Sequence, residues 1–175
     1  MTGMAVRLTP FIAVLPLVLF VVYSQFETDL YRRMLVGSVA AAPVLLAFAV
    51  LRTWMNPILL GTYLFWIVLL VAFALEPAWL LPILGALREA GIFIAMALAA
   101  LFLTFASSAG AIGQEGSRGA VLLASGIMIA AILLALIPGL HFRGDETRAI
   151  VWPSIALFTL QWVLAWRVRR EKPAS

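Results

Sequence analysis

Six long apolar runs, none with a charge near its middle, are what any fold of this chain must accommodate. They lie at about 8–23, 34–51, 57–75, 90–109, 119–137 and 149–166. A helix crosses a bilayer with roughly 20 mostly apolar residues, and each run comes close to that. The chain is 65% apolar and 11% charged, against about 45–50% and about 25% in ordinary soluble domains. Water cannot be the solvent for that much apolar surface, so lipid must be. The expected fold is all-α: a polytopic membrane helical bundle of about six transmembrane helices, one integral domain over residues 1–175.

Between the third and fourth runs, EPAWLLPILGALRE carries about a dozen apolar residues broken by Pro82. That is too short to span, so residues 77–88 read as an interfacial or re-entrant segment, with Trp79 at headgroup level. Pro16 and Pro43 should kink the first two spans, because proline removes a backbone hydrogen bond. Asn56-Pro57 is a turn signal that opens the third span. Pro138-Gly139 should stop the fifth sharply. Val22 and Ser24 before Gln25 make a small-residue pattern compatible with signal-peptide cleavage. The length of the run and the spans after it favour an uncleaved helix.

The most distinctive stretch is GAIGQEGSRG, residues 110–119, with Gly110, Gly113, Gly116 and Gly119 at every third position. Small residues flank it: Gly91, Ala95 and Ala99 before, then Ala120, Ala124, Ala131 and Ala135 after. Such ladders let helix backbones approach closely in lipid. The stretch therefore reads as the tip of a tight helical hairpin joining the fourth and fifth spans. A second reading makes Gly110, Gly113, Glu115, Gly116, Arg118 and Gly119 an anion or lipid-headgroup loop. Backbone N–H groups, the Arg118 charge and a helix N-terminus would all attract an anion there. The loop lacks the GK[ST] ending of a phosphate-binding P-loop. Glu115 and Arg118 would otherwise form a weak exposed pair.

In the last span Ser154, Phe158, Gln161 and Ala165 share a stripe, beside a tryptophan side holding Trp152, Trp162 and Trp166. Gln161 is the most polar side chain well inside a run. In hydrocarbon its amide needs a partner, so Gln161 and Ser154 are expected to make an intramembrane polar contact facing the bundle.

Several function classes drop out. Charge inside the membrane marks ion and proton pathways, and no run carries it centrally, so that class stays open only through a re-entrant loop that brings Glu76, Glu89 or Glu115 inward. Zero cysteines and one histidine leave no thiolate chemistry and no multi-histidine ligation. His141 with Asp145 and Glu146 reads as a solvated loop, so neither metal nor cofactor is expected. No hydrolytic motif occurs, and no catalytic residue is singled out. The net charge of +4 is spread over loops and the C-terminus, which argues against nucleic acid. With the N-terminus inside, Arg7, Arg52, Arg118, Arg167, Arg169, Arg170 and Lys172 lie inside, and Arg32, Arg33, Arg88, Arg143 and Arg148 outside. That bias places both termini in the cytoplasm.

The opening LPLVLFVVY, residues 15–23, with short spans after it, resembles intracellular septation protein A. The resemblance implies a small bacterial inner-membrane protein linked to the cell envelope, and it carries over no functional residue. The expected role is that of a non-enzymatic scaffold or accessory subunit, with the bilayer and other membrane proteins or further copies as partners. The alternative is a small-molecule carrier or substrate-binding subunit, with a pocket lined by Gln161, Tyr63 or Trp66. In size alone the chain resembles the substrate-binding components of energy-coupling-factor vitamin transporters. A lipid-modifying enzyme using Glu115 and Arg118 is the weakest reading.

Overall fold

The chain folds as α-helices joined by short connections, in a computed structural model that describes residues 3–51, 53–87 and 89–170, without the side chains of 3–11, 30 and 81. The elements are α1 (Gly3–Ser24), α2 (Leu30–Leu51), α3 (Pro57–Leu75), α4 (Leu80–Leu87), α5 (Ala90–Ala106), α6 (Arg118–Leu134), α7 (Leu136–His141) and α8 (Trp152–Arg170). A 3₁₀ turn at Gly110–Ile112 precedes α6, and a π-helical turn at Thr147–Val151 leads into α8. No strand occurs among the described residues. Arg52, Arg88 and Lys172, and the side chain of Arg7, lie outside the described part.

Four stretches are long and apolar enough to cross a membrane: Tyr31–Leu51, Pro57–Leu75, Arg118–His141 and Thr147–Arg170. Among the other expected spans, Ala90–Ala106 is shorter, while α1 has 22 residues with its side chains described from Ile12 to Ser24. The 17 residues of α5 reach about 26 Å at 1.5 Å per residue, short of a hydrocarbon core about 30 Å thick. The eight residues of α4 span only about 12 Å. Trp79, just before α4, is exposed.

Helix ends follow local chemistry. Asn56 caps α3: its side chain accepts from Ile58 N at 2.8 Å, and Pro57 takes the first helical position, where no N–H is needed. The end of α6 differs from expectation. Pro138-Gly139 does not stop the helix. α6 breaks after Leu134, and α7 then runs through both residues. A proline ring clashes with the carbonyl four residues back, which here is Leu134, so the break falls upstream. α1 and α2 continue through Pro16 and Pro43.

Two apolar clusters form the core. One gathers Ala13, Met34, Ala41, Val44, Tyr63 and Trp66 from α1, α2 and α3. The other gathers Phe93, Met96, Ile112, Val121, Met128 and Leu164 from α5, the 3₁₀ turn, α6 and α8. The half-buried Phe65 and Phe158 touch both. The closest backbone approach described is between α3 and α5. A methyl group on Gly61 would lie 2.3 Å from Met96 Cα, and one on Gly91 would meet the Phe65 ring at 2.7 Å. Gly91 and Ala95 of the α5 ladder thus serve α3, while Ala124 and Ala135 of α6 are buried.

Candidate functional site

The 110–119 stretch is a packed plug rather than a bare turn. Gly110, Ala111 and Ile112 are buried. Gly110 and Gly113 take left-handed φ values of 57° and 70°, which side chains resist. Each also has a wall where a side chain would go: Ser125 Oγ at 2.5 Å for Gly110 and the Trp54 ring at 2.6 Å for Gly113. Trp54 Nε1 donates to Gly110 O at 2.9 Å, and Ala111 N donates to Ser125 Oγ at 3.1 Å. Gly110 N–H goes to Ser107 O, and both Gly113 and Gln114 N–H go to Ala109 O. The amides that an anion would need across the first half of the loop are therefore engaged internally.

The second half is exposed. Glu115, Gly116, Arg118 and Gly119 face outward, and Ser117 caps α6 through Ala120 N. Glu115 and Arg118 form no ion pair, contrary to expectation. The pairs found among the described residues are Arg32–Glu27, Arg33–Glu146 and Arg148–Asp145. The reason is the extended run between the plug and the Ser117 cap, which turns Gln114 toward Arg169 at 3.2 Å instead. His141, Asp145 and Glu146 also diverge: His141 packs edge-on against Phe142, Asp145 bonds Arg148, and Glu146 reaches Arg33.

On α8 the inward stripe divides into two roles. Gln161 is buried and its Oε1 accepts from Asn56 Nδ2 at 2.6 Å, so one asparagine both caps α3 and ties it to α8. Ser154, two turns earlier on the same face, makes no such bond and lines a cavity. Trp152, Trp162 and Trp166 stay exposed.

Among the described residues, that cavity is the candidate site. It occupies about 410 Å³ between α1–α2 on one side and α3, α5 and α8 on the other. Its volume falls in the range of small-molecule sites, about 300–1,000 Å³. The walls are apolar: Phe20, Met34, Trp66, Met96 and Phe158 among them. Trp66 is held in place by stacking on Phe20, with ring centroids 4.5 Å apart. Gly37 makes room for the indole, since a methyl there would come within 2.9 Å of it. Ser24, Gln25, Arg33 and Glu146 line it from the ends of α1 and α2 and from the approach to α8. Asn56 and Gln161 do not line it. Of the three residues expected to line a carrier pocket, only Trp66 does so. Tyr63 is buried, with its hydroxyl donating to Ala13 O, and Gln161 is bonded to Asn56.

A second cavity of about 400 Å³ adjoins the first, sharing Met34, Phe65, Glu146 and Ile150. Leu84 and Gly85 of α4 lie over it, and Glu89 lines it. Glu89 Oε1 accepts from Gly144 N at 3.0 Å, while Oε2 is buried with no hydrogen-bond partner.

Two ion contacts lie where α1 gives way to α2. The Glu27 carboxyl is held below its ordinary pKa, chiefly by the N–H of Asp29 and further by Arg32. Arg33, the next residue, behaves differently. Its side chain is 17% exposed, its Nε is buried without a partner, and its Nη2 lies 3.9 Å from Glu146 Oε1. In the sequence reading Arg33 counted only as a loop charge. One signal did distinguish it: Arg33, Gly37 and Ala41 are four apart and share an inward face, whereas Arg32 falls beside it.

Among the described residues no group of three or more metal-ligating side chains is assembled. Comparison with protein-family models, curated proteins and solved structures gives no match.

Proposed function

We propose that this chain is an integral membrane protein that binds a largely apolar small molecule in the cavity between α1–α2 and α8. This is the carrier or substrate-binding reading, with a different lining from the one first expected. One observation supports it most: the 410 Å³ apolar cavity with its charged side chains, Arg33 and Glu146, at one end. Sites of this kind bury an apolar body and orient it with a few polar groups. A bacterial-type inner membrane with both termini cytoplasmic fits the C-terminal cations. In that orientation the cavity opens on the outer side. The role we propose is that of a binder or accessory subunit in the cell envelope, as the likeness of residues 15–23 also implies.

The test is thermal unfolding of the purified protein in phosphatidylcholine nanodiscs against a panel of apolar metabolites and lipids. A ligand at about 100 times its Kd stabilises by about 2.7 kcal/mol, which raises the midpoint by several degrees. A broad panel with no shift would sink the reading.

A scaffold role has its own support on the far side of the bundle. Gly119, Leu123, Gly126 and Ala130 are exposed along one stripe of α6, and a methyl group at Gly126 would meet nothing within 4 Å. Small residues on an open helix face suit helix–helix contact in lipid. Gly126→Ile should then lower self-association measured by energy transfer between labelled copies. Unchanged transfer would remove this second reading.

A further inference from the structure

We propose that the cavity takes a single-chain amphiphile with an anionic head, a carboxylate or a phosphate monoester, and that Arg33 holds the head. The proposal rests on the binding reading above and narrows it to a ligand class.

The argument begins with an unspent cation. A guanidinium presents five N–H donors in a fixed fork and stays charged at any relevant pH. Arg33 carries that group into the wall of an apolar cavity, with 17% of its side chain exposed. Its Nε is buried and unbonded. Its one ion-pair partner among the described residues, Glu146, stands 3.9 Å away, beyond hydrogen-bond distance, and is itself 64% exposed. A buried charge without compensation is costly. Carboxylates and phosphates match the fork with two parallel hydrogen bonds. A head of either kind at the rim would take up the Nη donors, which meet Glu146 only at 3.9 Å.

The rest of the ligand follows from the walls. Below Arg33 the cavity is lined by Phe20, Trp66, Met96 and Phe158, with Thr62 and Ser154 the polar groups at depth. An alkyl chain fits such walls, and a second charge would not. Charge also selects between the two cavities. The adjoining one is lined by Glu89 and Glu146 and not by Arg33, so it repels an anionic head. Arg32 supplies the contrast: 66% exposed and bonded to Glu27 at 3.3 Å, it is already satisfied.

Photolabelling in phosphatidylcholine nanodiscs reads this directly. The probes are dodecanoate, dodecyl phosphate, dodecanol and dodecyltrimethylammonium, each with a diazirine in the chain. Label on Phe20, Met34 and Phe158 is divided by label on the outward Phe102 and Phe105. The expected ratio for the two anionic probes exceeds that for dodecanol on the order of tenfold, the size of one charge-assisted hydrogen bond. The cationic probe falls below dodecanol. The better of the two anionic probes identifies carboxylate or phosphate as the natural head. Arg33→Gln should bring the anionic ratio down to the dodecanol ratio without removing dodecanol label. Glu146→Gln, at an exposed position, should raise the anionic ratio alone by removing a competing carboxylate. Cavity label above background but equal for all four heads overturns this proposal and leaves the binding reading intact. So does a Glu146→Gln variant with no head-dependent change. Cavity label at background for every probe overturns the binding reading as well.

Discussion

Two helix contacts in this molecule stand at opposite extremes of packing. Where α3 meets α5, a single methyl group on Gly61 would collide with the Met96 backbone at 2.3 Å. Where α1–α2 face α8, a gap of about 410 Å³ stays open. Both contacts involve the same short stretch of α3: Gly61 points to α5, and Ile58, Thr62 and Trp66 point to the gap. The difference lies in side-chain size. Small residues at Gly61 and Ala95 let backbones meet, Gly91 leaves room for the Phe65 ring, and close packing of this kind holds helices together in lipid. Large rings at Phe20, Trp66 and Phe158 hold their helices apart and leave space among them. One contact is close-packed, and the other leaves room for the occupant proposed above.

The largest test attacks the cohesive side. Gly61→Val sets branched carbons against main-chain atoms that cannot rotate away, so α3 and α5 must separate. A loss of about 3 kcal/mol, the upper end of overpacking costs, is expected, read as a lower thermal midpoint by circular dichroism in mild detergent. Gly126→Ala is the control, since nothing lies within 4 Å of the added group. There the helix should gain slightly, by up to about 1 kcal/mol. Equal behaviour of the two variants would erase the distinction between seam and open face.

The next test loosens the joint between α3 and α8. Asn56→Ala removes the α3 cap at Ile58 N and the 2.6 Å bond to Gln161 together. The expected cost is about 1–2 kcal/mol. A double-mutant cycle with Gln161→Ala should return a coupling of about 1 kcal/mol. Hydrogen exchange should rise in the first turn of α3 and stay unchanged at the Gly61 seam. A coupling near zero would mean that the cap alone matters and that α8 is not tied to α3.

Filling the gap should separate stability from binding. Ser154→Leu adds an apolar branch to a half-buried wall position that has room for it. Stability should stay within about 1 kcal/mol, while affinity for the cavity ligand falls at least about tenfold, because the added branch occupies ligand volume. Large destabilisation would show that the gap is tighter than its volume, and unchanged affinity would place the ligand elsewhere.

Legibility in the sequence tracks how local each cause is. Asn56-Pro57 announces the start of α3 because cap and proline act within three residues. The short α4 is visible from run length alone. Pro138 shows the limit even of a local rule: the proline was evident, but its clash falls on Leu134, so the break is displaced upstream. The glycine spacing at 110–119 marked an unusual loop, yet its burial depends on Ser125 in the next helix and on Trp54, 56 residues before Gly110. Gln161 was identifiable as a polar group needing a partner, but nothing near it in sequence names Asn56. The cavity was least legible. It arises where α1, α2, α3, α5 and α8 fail to fill space, and only the three-dimensional packing defines that. Arg33 sits between these cases, since helical period separates it from Arg32 but says nothing of what it faces.

The smallest expected effect concerns the rim, and its sign follows from Glu27. Asp29 N donates to Glu27 Oε1 at 3.0 Å, and Arg32 Nη1 donates to Oε2 at 3.3 Å. Both bonds favour the charged carboxylate, so its pKa in the folded protein lies below the ordinary value, with the Asp29 N–H the larger cause. A depressed carboxyl pKa stabilises the fold above the unfolded-state pKa and loses that contribution as pH falls through the folded one. The 25–29 connection should therefore be ordered at pH 7 and loosen below the ordinary carboxylate range. The connection around Glu27 is largely exposed, so solvent screening keeps the effect local. Hydrogen exchange at Asp29 N, compared between neutral and acidic pH after correction for intrinsic rates, should show protection lost in acid. Glu27→Gln should flatten that dependence and leave the Gly61 seam unchanged at both pH values. If acid loosened the seam and the rim together, the two contacts would belong to one cooperative unit, and the contrast between the close-packed seam and the gap would not survive.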